Sequence, residues 1–515
     1  MGKSFIASVL AALIPLLSAG AQTVENMPTA LSTPFGDAIE QPVDIEYNRT
    51  KLAQKILLAR DHKIGKVDGA WGGRTREAAN VERIRLGLKW ARYLGPYTRQ
   101  LLFTLPEARA AGGLPRAGEI VINIENRRAL LDGRPDLQRA YCQSTSSSLG
   151  LLSKRAPRIL TIGPEGIVRG RNQTEMPWYQ SLAQAYIAEH DACLLGQTQS
   201  CEAIVDNLQL FVDIWGLKPA IDREEQAFED LAAQANIALN AMIHAYATAR
   251  ATLDIPIKQD ERIIDWLFGR VTTYKRVVRR PERMSDAMKY GHAGGQLSVL
   301  PVLAIGALVG DPRTFREGME FYRLALRNTR VDATLREDSL SGDMALMEAT
   351  ASVSAMLAAG LLVENQGQDL FSQRELGRDI HDIVGRLIDH LEDWDTLFPT
   401  ALSNQPSFLK PIRLNTGAGS FYTRDIENLL GWTILYTERF PGQANSKRIR
   451  DLELDERTCG RMAERTGRAP WSCFRALLSM STSPSTLMPS PNGGLFIGYN
   501  PGCMIATRES PFDRP

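Results

Sequence analysis

Leu297-Ser298-Val299-Leu300-Pro301-Val302-Leu303-Ala304-Ile305-Gly306-Ala307-Leu308-Val309 is apolar on nearly every side and carries no charge. A helix of that composition has to be enclosed by other helices. Its counterpart is the set Leu376, Ile380, Ile383, Leu387, Leu391 and Trp394, spaced by steps of four and three, with Arg378, Asp379, Arg386 and Asp389 on the other faces. A helix of the second kind packs along one side only. Between and around these two lies a series of helical patterns: Trp178–Leu195, Cys201–Trp215, Arg223–Leu253, Asp260–Val278, Met284–Val309, Thr314–Asn328, Gly342–Val363, Glu375–Trp394 and Thr423–Thr437. Nothing in this half alternates like a sheet. Inner helices alternating with outer ones predict a mainly α fold, an incomplete α/α barrel or toroid, over residues 177–440.

The flanks read differently. Lys3, the apolar run Phe5–Leu17 and the small residues Ala19-Gly20-Ala21 have the layout of a cleavable secretory signal over residues 1–21. That apolar run is shorter than the ~20 residues a spanning helix needs, so no stable membrane span is expected after cleavage. Residues 22–46 form a Pro/Thr/Ser-containing lead-in. A helix at Leu52–Leu58 leads into Gly65-Lys66-Val67-Asp68-Gly69-Ala70-Trp71-Gly72-Gly73-Arg74-Thr75, where glycines permit tight turns and Thr75 is placed to cap the next helix. This Asp-Gly-x-Trp-Gly turn resembles that of peptidoglycan-binding-like modules, and the resemblance implies a small helical module over 47–95 with a peptidoglycan or other envelope glycan as a possible partner. Residues 96–176 read as a connector, with a short strand expected at Gly118–Ile124. Residues 441–515 read as an irregular extension that folds back under disulfide restraint.

Six cysteines form an even set without CxxC spacing or histidines at ligand spacing, which in an exported chain favours disulfides over zinc. The natural local pairs are Cys193–Cys201 and Cys459–Cys473, leaving Cys142 with Cys503, although other pairings are open to six cysteines. Sixty basic against fifty-nine acidic residues leave a formal charge of +1, so the molecule as a whole has no field to gather nucleic acid or an anionic membrane. There is no phosphate-binding Gly-Lys-Ser/Thr loop and no Gly-x-Ser-x-Gly elbow, which removes support for nucleotide hydrolysis and ordinary esterase chemistry.

Chemistry is concentrated at Lys289-Tyr290-Gly291-His292-Ala293-Gly294-Gly295, at the head of the all-apolar helix, preceded by Lys275, Arg276, Arg279, Arg280 and Arg283. A histidine beside a tyrosine can exchange protons with a substrate, and the basic run would attract a polyanion. Asn172 and Trp178, at the head of the helical half, are of types that hydrogen-bond to and stack on sugars. Glu337, Asp338, Asp343 and Glu348 raise a second possibility, glycoside hydrolysis by paired carboxylates, or simply an acidic helix start. His244, His381 and His390 sit within helices without ligand spacing and read as structural.

The order of these segments resembles the alginate lyase family of polysaccharide lyases. There an Asn-His pair opens an inner helix, a spacer helix follows, and a segment rich in Arg, Tyr and His precedes the next inner helix. Here His292 resembles the family's histidine, Asp311–Leu326 resembles the spacer, and Leu335–Thr350 occupies the later place. The resemblance implies β-elimination on a uronate polymer without cofactor or metal: a cation or amide neutralises the carboxylate, a histidine or tyrosine takes the C5 proton, and a tyrosine protonates the leaving oxygen. It places His292 and Tyr290 in catalysis, with Arg336 and Glu348 beside them and Arg279, Arg280, Arg283 and Lys289 along the approach. The chain departs from the pattern in three places. Gly291 stands for the asparagine, Glu348 for the tyrosine, and no arginine lies between Ser339 and Thr350. These departures keep a hydrolase and a non-catalytic envelope glycan-binding protein as alternatives to an exported, periplasmic or secreted lyase.

Overall fold

A computed structural model describes residues 44–142, 149, 175–215, 227–278, 293–336, 338–340, 345–392, 431–451 and 497–507. The N-terminal part is built on α1 (Arg49–Ala59), α2 (Gly73–Arg85), α3 (Pro96–Phe103) and α4 (Pro106–Ala110). Asn48 caps α1 by accepting from the amides of Thr50 and Lys51, both at 3.1 Å. Leu52, Ile56, Leu57, Ala78, Ala79, Leu102 and Phe103 close a small core of their own. Thr75 does not cap α2. Gly72 holds that position, while the Thr75 hydroxyl is buried and accepts from Gln54 Nε2 at 3.3 Å.

Next come α5 (Ile124–Asp132) and α6 (Pro135–Tyr141). The strand expected at Gly118–Ile124 is not formed: the chain bends through residues 118–123, and Ile124 opens α5 under the Asn123 cap. Ile120, Val121 and Ile122 are all buried, so this run is apolar because it is surrounded, not because it is pleated.

The helical half follows the predicted alternation. Inner helices α7 (Glu175–Leu194), α9 (Ala227–Thr252), α11 (Ala293–Val309), α13 (Ala345–Asn365) and α15 (Gly431–Arg439) pack each against the next. Outer helices α8 (Thr198–Trp215), α10 (Ile257–Val278), α12 (Pro312–Arg327), α14 (Ile380–Glu392) and α16 (Ala444–Asp451) lie against them, one after each. Every residue from Val299 to Val309 is buried in α11, where each Leu, Ile or Val side chain contributes roughly 1.5–3 kcal/mol of transfer free energy. Enclosure explains a charge-free helix in a chain in which no described helix is long and apolar enough to cross a membrane. α14 starts at Ile380, later than expected. Leu376 (φ 53°) and Gly377 (φ 81°) are left-handed, which a helix cannot continue through, and Leu376 is 71% exposed. Asp379 then caps α14, accepting from the amides of His381 and Asp382.

The inner helices all run the same way, and a strap of residues 116–128 shows it. Arg116 Nη1 donates to Asn365 Oδ1 at the end of α13 (2.8 Å), and Gly118 N donates to Ala307 O at the end of α11 (2.9 Å). Arg128 Nη2 donates to Cys193 O at the end of α7 (2.7 Å) and to Thr252 Oγ1 at the end of α9 (2.5 Å). Four C-termini are thereby tied along one strip of chain, and Arg439 of α15 pairs with Glu364 of α13. The N-terminal helices dock on this same end: Asp311, at the α11–α12 turn, pairs with Arg49 and, at 3.0 Å, with Arg99.

The C-terminal segment closes the ring. α17 (Pro501–Ile505) lies between α15 and α6, α6 packs on α5, and α5 on α7. Two disulfides are present, Cys142–Cys503 and Cys193–Cys201, while Cys459 and Cys473 lie outside the described residues. Arg127, fully buried, donates to the carbonyls of Cys503 (2.7 Å), Ala506 (2.9 Å) and Gly502 (3.0 Å).

Candidate active site

Because the C-termini of the inner helices are tied off, the toroid has one closed end and one at which the inner helices begin. The turns at the closed end are short, as at Gly310-Asp311 and Leu253–Pro256. Longer stretches of sequence separate each outer helix from the inner helix that follows it, residues 216–226, 279–292, 328–344 and 393–430. The positive ends of the inner helix dipoles meet at the end where those helices begin, which favours an anionic ligand.

Trp178, Arg336, Asp338 and Glu348 are the expected site residues that fall among those described. Glu348 stands in the first turn of α13 and is half-buried. Arg336 is exposed just after the isolated bridge between Thr329 and Leu335. Trp178 lies in the first turns of α7. Asn172, Arg279, Arg280, Arg283, Lys289, Tyr290 and His292 lie outside the described residues, as do Glu337 and Asp343. Asp338 is fully buried, in a 3₁₀ turn under α13, where Ser352 Oγ donates to it at 2.6 Å. It braces the α13 start and is not available to a substrate.

The sequence reading missed a polar file on α9. Asn236, Asn240, His244 and Thr248 recur every four residues, share one face and are all buried. Around them stand His190 and Asp191 of α7 and Tyr499 and Asn500 of the C-terminal segment. The His244 and Tyr499 rings are 4.8 Å apart, Asn240 Nδ2 donates to Ile497 O at 2.6 Å, and Asn500 Nδ2 donates to Asp191 Oδ2 at 2.8 Å. Burial, with His190 nearby, depresses His244 to a pKa of about 3, so it is a neutral core group. The spacing of Asn, Asn, His and Thr was the available signal, and its meaning depended on a C-terminal partner far away in the chain. His381 is likewise consumed internally, its Nδ1 2.8 Å from the Tyr436 hydroxyl.

A cavity of about 350 Å³ at the closed end is lined by Gly118, Arg250, Asp254, Asp260 and Leu308 among others. Arg250 and Asp260 are matched to each other there. Asp260 accepts from Tyr246 (2.6 Å), Tyr97 (2.9 Å) and Arg250 Nε (3.0 Å), a network that locks α9 to α10 and to α3. The glycine turn of the N-terminal part is matched too: Gln54 Nε2 donates to Asp68 Oδ1 at 2.8 Å and Gln54 Oε1 accepts from Gly69 N at 2.8 Å. Trp71 Nε1 donates to Arg92 O at 3.1 Å. Asp68, Gln54, Thr75 and Trp71 thus build the turn. Among the described residues no group of His, Cys, Asp and Glu could hold a metal ion.

No protein-family model matches the chain, and no curated protein matches it. Solved structures similar to it include those of alginate lyase A1-III. A histidine-to-alanine variant complexed with a tetrasaccharide is 16% identical over 64% of this chain and 90% of that one, with a TM-score of 0.49. The enzyme from Sphingomonas species A1 is 16% identical over 65% of this chain and 91% of that one, with a TM-score of 0.48.

Proposed function

We propose that the chain is an exported polysaccharide lyase that cleaves a uronate-containing polymer by β-elimination at the open end of the toroid. The observation that carries this reading is the polarity of the ring. One end is sealed by the strap, so the inner helices begin at the other. In sequence order, Asn172 precedes α7 and Trp178 lies in its first turns, the run Arg279 to His292 precedes α11, and Arg336 precedes α13, whose first turn carries Glu348. The cationic run supplies carboxylate neutralisation in place of the family's asparagine and arginine. His292 serves as base or carboxylate partner, and Tyr290 stands in for the displaced tyrosine as proton donor. Glu348 bears on which substrate fits, since an ionised carboxylate at the mouth repels a uronate carboxylate placed against it. Export follows from the signal layout at residues 1–21 and is consistent with two disulfides.

The test is ultraviolet absorbance of the conjugated, unsaturated ends while the exported chain is incubated with alginate, polygalacturonate and glucuronate-containing polymers. A rise that is lost in His292→Ala supports the assignment. A flat trace accompanied by new reducing ends would replace it with hydrolysis by Glu348 and a second carboxylate.

A further inference from the structure

A second feature that could meet a glycan lies away from the mouth, in the N-terminal part docked on the closed end. After α2 the chain runs without helix or strand through Lys89-Trp90-Ala91-Arg92-Tyr93, bending at Arg92 and Tyr93. Its backbone is pinned by three side chains from beneath: Arg83 Nε donates to Lys89 O (2.9 Å), Asn80 Nδ2 to Ala91 O (2.9 Å) and Trp71 Nε1 to Arg92 O (3.1 Å). Asn80 Oδ1 also accepts from Ala91 N. Asn80 and Arg83 are both buried, so the strip is held in place before any ligand arrives, which lowers the entropic cost of binding.

What the strip shows to solvent is aromatic and cationic. Trp90 is 54% exposed and Tyr93 67% exposed, unusual values for such large rings. Arg76 stands 5.5 Å from the Trp90 ring centroid and Arg92 stands 5.4 Å from that of Tyr93. Arg76, Lys89 and Arg92 enter no ion pair among the described residues. Flat rings stack on the apolar faces of pyranose sugars, and unpaired cations beside them match carboxylates along a polymer.

We propose that this strip is an accessory binding site for an anionic polysaccharide strand, with Trp90 and Tyr93 as stacking platforms and Arg76, Lys89 and Arg92 as carboxylate partners. It stands independently of the chemistry assigned to the mouth. Nucleic acid is the weaker match, because three local cations on a chain of net charge +1 give little of the phosphate neutralisation on which such binding depends.

The experiment is affinity electrophoresis of the exported full chain in gels containing polygalacturonate, alginate or neutral dextran. Retardation is expected in both polyanion gels, declining with added salt, and absent in dextran. Trp90→Ala combined with Tyr93→Ala should weaken it by about tenfold or more, a difference of ~1.4 kcal/mol, with Trp90→Phe close to the parent and the melting temperature unchanged in both variants. His292→Ala, which disables the mouth, should be retarded as the parent is. Equal retardation of parent and double variant overturns the site, as does equal retardation in dextran. Preferential binding of a single-stranded oligonucleotide or of anionic lipid vesicles also overturns it.

Discussion

Asp265 shows how a single carboxylate sets a pH dependence. It sits at the head of α3, where its Oδ1 accepts from Tyr97 N at 3.0 Å. Burial is the largest influence and, together with Glu261, raises its pKa to about 6 against the help of Tyr97 N–H and the nearby Arg83 and Arg99. The folded pKa lies above the unfolded one, so the folded state favours the protonated form, and stability is lost as pH rises through about 6. The penalty above that pH is of order 3 kcal/mol. Asp265→Asn keeps the acceptor and removes the charge. Denaturant melts should show it more stable than the parent above pH 6 and no different near pH 4, and an equal gain at both would refute the account. Asp311 is the opposite case. Burial pushes it up, but Arg99 and Arg49 outweigh that and hold its pKa below the usual carboxylate range. Asp311→Ala leaves two guanidinium groups short of a partner, one of them buried, and should cost about 3–5 kcal/mol in the same melts.

At the scale of helices, α11 and α12 interlock through missing side chains. A Cβ at Gly306 would fall 2.8 Å from Phe315 N, and one at Gly318 would meet the Leu303 side chain. The two glycines let a buried inner helix and its outer partner approach closely at two separate levels. Gly318→Val should therefore cost about 1–3 kcal/mol by overpacking, whereas Gly442→Ala, with nothing within 4 Å, should leave the melting temperature unchanged. Helices of this kind were largely legible in the sequence, because inner and outer faces differ in period. Boundaries were less so. Leu376 fits the spacing of the α14 stripe yet belongs to a left-handed turn, since period alone does not record where φ changes sign. The apolar run at Ile120–Ile122 read as a strand because enclosure and pleating leave the same composition behind. The α9 polar file went unread because Asn240 finds its companion Ile497 257 residues away, and His244 packs on Tyr499 in the same distant segment.

The whole ring depends on a closure made by the last described residues. The sequence put His292, Tyr290 and the basic run just ahead of an inner helix, but the direction of every inner helix, and so the end at which those helices begin, followed only from the strap at residues 116–128. At the closure itself, α17 is held to α6 by Cys142–Cys503, a link 361 residues apart in the chain, and by the three carbonyl bonds of Arg127. A loop of that length gives the disulfide about 6 kcal/mol of ideal chain-entropy stabilisation. Acid attacks the same place. His244, packed on Tyr499, has a folded pKa of about 3, below its unfolded value near 6.5, so its contribution is complete above that value and falls by about 1.4 kcal/mol per pH unit as pH drops toward 3. Cys503→Ser should thus lower the melting temperature at pH 7 and move the acid midpoint upward, because the remaining stability is exhausted sooner on the same slope. Thermal melts from pH 7 to pH 4 decide this: parallel pH slopes with a constant offset fit a disulfide and a histidine acting separately on one cooperative ring, and a variant that loses its pH slope would show instead that the C-terminal segment had already come away from His244.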